Sequence, residues 1–287
     1  MRARIAGHAL ALVATVLLGG LLSATLVRLA PGFDADEQQL DPHLSTESVH
    51  ALRVARQQDH NIFRFYLSYM NRAAHGDLGI SLALGQPVRT LLRDRAPLTL
   101  RLLILGLSLG WVAALTLALT TAWLRLSSYD VLITIVSGTF LCIPAAVLAL
   151  LSVLWNVPGS LAIALIVFPR IYRYARNLLA KSYSLPHIIT ARAKGLGEFR
   201  ILFWHVLPGV TPQLLALAGV SVSVAVGAAI PVEALCGLAG VGQLAWQAAL
   251  ARDLPLLVNI TILVTLVTLL ANSGADVIGH MVRARES

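Results

Sequence analysis

Charged residues are scarce in this sequence, and their scarcity excludes a single water-soluble domain. Only 13% of the 287 residues are charged and 57% are hydrophobic, whereas a soluble domain carries about 25% charged residues. Cysteine is also scarce. The two cysteines, Cys142 and Cys236, are too few for a disulfide framework, and their spacing does not suggest a metal site. Each is predicted to be a small apolar filler.

The sequence also lacks the motifs of a nucleotide-hydrolysing enzyme. No glycine-rich loop is followed by Lys and then Ser or Thr, so there is no P-loop. No acid pair and no nucleophile–base pair has a spacing that predicts catalysis. We therefore expect neither an ATPase site nor a cofactor in this chain. The net charge of +8 does not predict nucleic-acid binding, because the cations lie between apolar runs.

Long apolar runs are what the sequence has instead. A helix needs roughly 20 apolar residues to cross a bilayer, and backbone groups in lipid must be satisfied within the segment. The longest run is too long for one crossing, and the turn signal Asn156-Val157-Pro158-Gly159 divides it into two spans, the second of them short. The sequence therefore predicts an all-α membrane protein with six transmembrane helices, from the runs 5–27, 102–124, 131–169 (two spans), 201–232 and 254–275.

The charges beside these runs predict the orientation. Seven cations lie between Arg170 and Arg200, whereas the loop 156–160 has none. The positive-inside rule then places the 170–208 segment and both termini in the cytoplasm, and the polar insert after the first span outside. A cleaved signal peptide is the alternative for the first run. Its apolar stretch exceeds the 7–15 residues of such peptides, so we expect a retained anchor.

Three parts of the chain follow from this topology: 1–30 with the cytoplasmic N-terminus and first span, 31–96 as an extracytoplasmic insert, and 97–287 as a five-helix core. Within the insert we expect surface helices at 46–58, 62–73 and 88–95. Pro97 is predicted to open the second span, and Pro144 to kink the third. The histidines of the insert lack the close spacing of a metal site; they are His43, His50, His60 and His75.

The segment Ile189–Pro208, ITARAKGLGEFRILFWHVLP, has the most distinctive pattern. Small residues alternate with cations in its first half, and bulky apolar residues dominate its second half. This pattern predicts a short helix with a thin side and an apolar side, closed by a loop at Gly195–Gly197. Such a helix suits docking into a cleft on a partner. The alternative is a positively charged loop that only sets the orientation.

The fifth span and its outer end carry a second pattern. Small residues recur along the span and predict close helix packing; they are Gly219, Ser221, Ser223, Gly227 and Ala228. Pro231 and Glu233 are expected to end it. An acid at a membrane boundary is costly and often functional, and the alternative is a solvated interfacial carboxylate. The glycines at 237, 240 and 242 are predicted to form a flexible outer turn.

Four stretches of the chain, taken in order, form a further pattern. They are GDLG at 76–79 with Pro87-Val88 and RAPLTL at 95–100, TARAKGL at 190–196 with His205, Glu233 with Gly240-Val241-Gly242, and RDLP at 252–255. Together they resemble the permease subunits of ATP-binding-cassette (ABC) importers of the dipeptide, oligopeptide and nickel family. The departures are Ile189-Thr190-Ala191 where that family has a Glu-Ala-Ala opening, and a loop between the third and fourth spans reduced to 156–160.

The resemblance implies a cytoplasmic ATPase-coupling helix within the loop 182–208, between the fourth and fifth spans. The coupling residues would be Ala191, Arg192, Ala193, Lys194, Gly195, Leu196, Phe199, His205 and Pro208. Residues of a possible gate or outer end would be Glu233, Gly240, Gly242, Arg252 and Asp253.

It also implies a multi-pass subunit of the cell (inner or plasma) membrane. The subunit would pair with a second permease as a hetero-pair, with two cytoplasmic ATPases that bind ATP, and with an extracytoplasmic solute-binding protein. The cargo would be peptides or a related small solute. The alternatives are another solute (nickel, a sugar or an opine-like compound), an exporter of the same ATP-driven type, and a secondary transporter, which would need charged or broken-helix sites at mid-membrane.

Overall fold

The computed structural model describes Thr25, residues 75–124 and residues 127–286. In this part of the chain the regular structure is helical, and the only bridge is an isolated antiparallel one between Ile80 and Pro87. The all-α prediction is confirmed for these residues. Most of the first predicted span, the predicted helices at 46–58 and 62–73, and three of the four insert histidines lie outside the described residues.

The helices follow one another with short connections. The segment between α5 and α7 begins with one α-helical turn and continues as a π-helix over Leu202–Val206. In chain order the α-helices are α1 (Val88–Leu124), α2 (Ser127–Cys142), α3 (Ala145–Leu154), α4 (Gly159–Tyr183), α5 (Pro186–Ala193), α6 (Glu198–Ile201), α7 (Leu207–Leu235), α8 (Val241–Leu250) and α9 (Leu254–Glu286).

Three helical stretches of the described chain are long and apolar enough to cross a membrane: Val88–Trp123, Glu198–Leu235 and Leu254–Gly279. The bent pair α2–α3 could supply a fourth crossing. The apolar start of α4 is short, and its second half carries the cations of the predicted cytoplasmic stalk. The stalk is helical through Tyr183, as the sequence predicted.

Two prolines act differently from the prediction. Pro97 does not begin a helix, because α1 runs unbroken from Val88 through it. A proline removes one hydrogen bond to the carbonyl four residues earlier, here that of the exposed Arg93, where water can replace it. Pro144 produces more than a kink: α2 and α3 meet at 97°, with Pro144 itself extended (φ −58°, ψ 144°).

The turn predicted between the third and fourth spans is confirmed. α3 ends at Leu154 and α4 begins at Gly159. Asn156 has φ +52°, a left-handed conformation that Asn tolerates better than most residues. Pro158 immediately precedes α4, so the chain reverses within a few residues.

The described residues group into two compact units. One contains 95–243 with 267–287, and the other contains 75–94 with 244–266. In the first unit α4 is the central helix, packing against α2, α3 and α7. Its buried face carries Ile163, Val167 and Ile171, a spacing of four residues that follows one side of a helix.

A stripe of small residues on α1 lets α4 approach closely. Gly106, Gly110, Ala114 and Ala118 recur every fourth residue, and both alanines are fully buried. A Cβ atom at Gly106 would lie 2.6 Å from the Ile163 Cβ, and one at Gly110 would lie 2.6 Å from the Val167 Cγ2. Interfaces of this kind are common where helices pack in lipid.

The close packing predicted for the fifth span is confirmed at Gly219 and not at Gly227. A Cβ at Gly219 would lie 2.9 Å from the Asn272 Oδ1 of α9, while nothing lies within 4 Å of one at Gly227. Beside Gly219, the Asn272 amide donates a hydrogen bond to the Ser223 hydroxyl at 3.0 Å. The hydroxyl of Ser223 in this span is thus paired with a polar group of α9.

Candidate functional site

The predicted short helix and its closing loop are both present. α5 begins at Pro186 and ends at Ala193, and Gly195 follows with φ +77°. The Leu196 N–H donates to the Ala191 carbonyl (3.2 Å) and the Gly195 N–H to the Arg192 carbonyl (3.0 Å). This pair of bonds is the Schellman cap, which calls for glycine at the left-handed position. Gly195 therefore fixes the direction in which the chain leaves α5.

The expected thin side is only partly available to a partner. Ala191 has 5% exposure and Ile188 is fully buried, so both are covered by the core of this chain. Its side is the one that closes on the hydrophobic core formed with Ile201 and Val206. The opposite face, with Arg192, Ala193, Lys194 and Gly195, is exposed.

The bulky apolar side chains that follow the turn also divide into a buried set and an exposed set. Ile201 and Leu202 are buried, whereas Phe199 is 68% exposed and packs on Phe203 with ring centroids 4.5 Å apart. Trp204 is 78% exposed, and Arg200 is exposed beside it. We name the exposed residues Phe199, Arg200, Phe203 and Trp204 the aromatic patch. Exposed aromatics next to an arginine are typical of the contact residues of protein interfaces.

An ion pair ties α5 to the patch-bearing helix. The Arg192 Nε lies 2.9 Å from the Glu198 Oε1, with both side chains more than one third exposed. A pair exposed to this degree contributes roughly 1 kcal/mol or less, so its effect is to orient the turn. Leu196, half-buried in the turn, packs against the core.

The two remaining coupling candidates lie inside a continuous helical stretch. His205 is half-buried in the π segment, and its Nδ1 is buried without a hydrogen-bond partner. Pro208 is in the first turn of α7. Pro208 therefore does not mark the boundary of a separate element, because the stretch Glu198–Leu235 is helical throughout. A wide π turn is a common way to accommodate such an irregularity.

The carboxylate of Glu233 caps the next helix from inside the protein. Glu233 is fully buried, and its Oε2 accepts hydrogen bonds from the backbone N–H groups of Gly242 (2.6 Å) and Gln243 (3.2 Å). These groups belong to the first turn of α8, where a negative charge is favourable. The alternative of a solvated interfacial carboxylate is wrong. The helix also continues past Pro231 and Glu233 to Leu235.

Two glycines of the outer-end motif are explained by this cap. A Cβ at Gly240 would lie 2.2 Å from the Glu233 Oε2, and one at Gly242 would lie 2.8 Å from the Ala229 carbonyl oxygen. Both positions thus need a residue without a side chain. Gly242 lies within α8, so its expected place in a flexible turn is wrong.

Asp253 organises a separate cluster at the start of α9. Its carboxylate accepts from the Leu256 N–H (3.2 Å), the Ala83 N–H (3.1 Å) and the Ser81 hydroxyl. The preceding Arg252 is in the left-handed region with φ +54°. The sequence motif indicated Arg252 and Asp253 as the helix start, which is confirmed. It did not indicate Ser81, whose only signal is a polar residue in an aliphatic stretch.

No metal-binding group of histidines, cysteines or acids occurs among the described residues. These observations define a helical membrane protein with an exposed, capped turn and a buried carboxylate cap.

Comparison with known proteins agrees with this class. The family described as binding-protein-dependent transport system inner membrane component matches residues 114–287. The oligopeptide transport system permease protein OppB of Salmonella typhimurium is 30% identical over 268 residues, covering 85% of each chain. The oligopeptide transport system permease protein AppB of Bacillus subtilis is 26% identical, covering 94% of this chain and 95% of that protein.

A solved structure shares the fold. The membrane chain of the MetNI methionine ABC transporter, in an inward-facing conformation, matches with a TM-score of 0.61 at 19% identity and covers 68% of this chain and 97% of that chain. The chain belongs to the binding-protein-dependent transport system inner membrane component family, and it is a multi-pass permease component of an ABC importer. The alternatives of a secondary transporter and an exporter are therefore wrong.

Proposed function

We propose that this chain forms half of the translocation path of an importer for peptides or closely related small solutes. The support is that the OppB and AppB relatives, named as oligopeptide permeases, align over most of the chain. Another solute of the same importer class, such as nickel, a sugar or an opine-like compound, is the alternative. The second half of the path would come from a different permease subunit, as a hetero-pair.

The proposed topology has six spans, with both termini and the 182–208 loop in the cytoplasm. The three parts 1–30, 31–96 and 97–287 keep the roles that the charges predict. Four candidate crossings of the described chain fit this arrangement, with the apolar start of α4 and the run 5–27 as the other two.

The observation that carries the coupling proposal is a capped turn flanked by exposed aromatics and cations. The turn at 194–197 is fixed by the Schellman bonds, and the aromatic patch follows it directly. We infer that two cytoplasmic ATPase subunits bind here, one to each permease, and that they alone bind ATP. The exposed face with Ala193 and Lys194 replaces the buried Ala191 as the contact face.

A substitution at Gly195 tests this proposal. Gly195→Val puts a β-branched residue in the left-handed region, at a cost of roughly 1–3 kcal/mol. The turn should then leave α5 in another direction, and uptake by whole cells should fall at least tenfold with reduced pull-down of the ATPase. Gly195→Asn is the matched variant, because Asn tolerates this conformation and should retain most of the uptake.

The two variants separate conformation from contact. If Asn is as harmful as Val, Gly195 is a point of close approach to the ATPase. Normal uptake by the Gly195→Val protein at normal expression would contradict the coupling role of the turn. Arg200→Ala should be milder, since it removes one charge from the patch and no backbone constraint.

A further inference from the structure

Two arginines of α4 are level with the middle of the neighbouring apolar helix α1. The contacts between the two helices give this level. A Cβ at Gly106 would lie 2.6 Å from the Ile163 Cβ, and one at Gly110 would lie 2.6 Å from the Val167 Cγ2. A step of four residues along α1 is thus matched by a step of four along α4, so the two helices run parallel and in register.

Continued by three residues, this register places Arg170 opposite Ala113. Ala113 is the middle residue of the apolar run Leu102–Leu124, about 16 Å of helix from either end. The hydrocarbon core of a bilayer is about 30 Å thick, so a crossing by this run brings Arg170 to its centre and Arg173 one turn closer to the cytoplasm. The sequence alone predicts both in a cytoplasmic stalk, and the cations after them, through Arg200, still give the same orientation.

Both arginines belong to a side of α4 that this chain leaves open. Arg170, Arg173, Tyr174 and Asn177 are all exposed and lie three to four positions or one position apart, on one side of a helix. We name these four residues the polar face. The Asn177 amide oxygen accepts from the Arg176 guanidinium at 3.1 Å, which leaves its amide N–H groups as donors. The polar face therefore offers hydrogen-bond donors at a depth where lipid offers no acceptor.

Neither lipid nor this chain satisfies these cations. Snorkelling to the headgroups serves residues near the ends of a span, not one at its midpoint. α4 contains no acidic residue, and in the described part of the chain no ion pair involves Arg170 or Arg173. Ionisable residues at this depth face a bundle interior or a water-filled cavity. The polar face therefore borders water or an anion from another molecule.

We propose that the polar face lines the translocation path and that Arg170 and Arg173 bind the terminal carboxylate of a peptide in transit. This inference rests on the proposed function, which makes the cargo a peptide. A free peptide carries that carboxylate at neutral pH, and a guanidinium matches it with paired, charge-assisted hydrogen bonds. Tyr174 and Asn177 supply neutral donors beside the two cations. The middle of the membrane is also where secondary transporters place their solute sites.

Water access at position 170 is the first test. In the assembled transporter without Cys142 and Cys236, Arg170→Cys should react in inverted membrane vesicles with sulfonatoethyl methanethiosulfonate, an anionic reagent that does not enter lipid. Val112→Cys is the matched control, because it is nearly level with residue 170 and 66% exposed on an apolar side of α1. It should stay unreactive. Reaction at neither position would overturn the inference, since lipid or protein would then cover the polar face. Reaction at both would put this level outside the membrane and overturn it as well.

The charge of the reagent tests what Arg173 contributes. Compared with a free thiol in solution, Arg170→Cys should favour the anionic reagent over its cationic trimethylammonium analogue. The preference should disappear when Arg173→Gln is added, because the neighbouring cation is then gone. Trialanine should slow the reaction, and its C-terminal amide should slow it much less. Equal slowing by the peptide and the amide would contradict binding of the carboxylate.

Uptake of trialanine by whole cells is the functional measurement. Arg170→Gln with Arg173→Gln should lower uptake about tenfold or more, as expected for the loss of charge-assisted hydrogen bonds, whereas the double change to Lys should retain part of it. Lys181→Gln is the control, because Lys181 is exposed on α4 but level with the inner end of the apolar run, and it should change uptake little. Pull-down of the ATPase should be normal in all three variants.

The outcomes separate this site from the proposed function. Parent-level uptake by the Gln pair would refute the site and leave the peptide importer standing. Absence of trialanine uptake by the parent protein would overturn both.

Discussion

At the residue scale, the outer-end motif is a single steric and electrostatic unit. Glu233 brings a carboxylate into a fully buried position, and two backbone N–H groups of α8 bind its Oε2. Burying an unpaired carboxylate is very costly, so the cap and the burial depend on each other. The space for the carboxylate exists because Gly240 has no side chain.

Gly240→Ala should therefore destabilise the chain by about 1–3 kcal/mol, as overpacking in cores does. The measurement is thermal unfolding of the purified transporter in detergent. Gly227→Ala is the control: nothing lies near that site, and alanine is the better helix former, so its melting temperature should be unchanged or higher. Combining Gly240→Ala with Glu233→Ala should cost less than the sum of the single changes; strict additivity would contradict a shared site.

At the element scale, the described fold depends on how other helices meet α4. Small residues of α1 let its backbone come close to Ile163 and Val167, and α2, α3 and α7 pack on its remaining surfaces. In the second half of α4, a two-point ion pair between Asp130 and Arg176 ties α2 to α4, with Nε to Oδ1 at 2.8 Å. A two-point contact with a planar guanidinium fixes angle as well as distance.

Asp130→Asn should lower stability by roughly 1 kcal/mol, since the pair is partly exposed and water screens it. The loss should appear as a melting-temperature shift of a few degrees that shrinks at high salt. Arg173→Gln, a stalk cation that is exposed, should leave the melting temperature nearly unchanged. The exchange Asp130→Arg with Arg176→Asp should recover part of the loss, and no recovery would mean that the pair does not join the helices.

At the scale of the whole molecule, the proposed topology would place the aromatic patch on the cytoplasmic side of the membrane. The assignment depends on the seven cations between Arg170 and Arg200 and on the positive-inside rule.

Single cysteines test this topology in a protein from which Cys142 and Cys236 have been removed. His60→Cys should react with an impermeant thiol reagent in intact cells, because the insert is predicted to be outside. Lys194→Cys, exposed in the described chain, should react only after permeabilisation. The reverse pattern would invert the topology and remove the basis for ATPase binding at the turn 194–197.

What the sequence by itself determined is the set of properties that depend on local composition and spacing. Apolar runs fixed the membrane class and helical content, because lipid leaves a backbone few alternatives. The pattern around Gly195 predicted a short helix and a closing turn, since a left-handed glycine cap is a local feature. The order of the four matching stretches along the chain indicated the family.

Only the tertiary structure decided which side of each helix is buried and which side is exposed to a partner. Ala191 and Ala193 are alike in sequence, yet one is buried and the other exposed, because the core that covers Ala191 includes Ile201 and Val206 of the helical segments that follow α5. The sequence left Glu233 open to a solvated reading, and only the structure shows its carboxylate capping α8. Ser81 and Asp253 are 172 positions apart, and only folding brings the hydroxyl to the carboxylate.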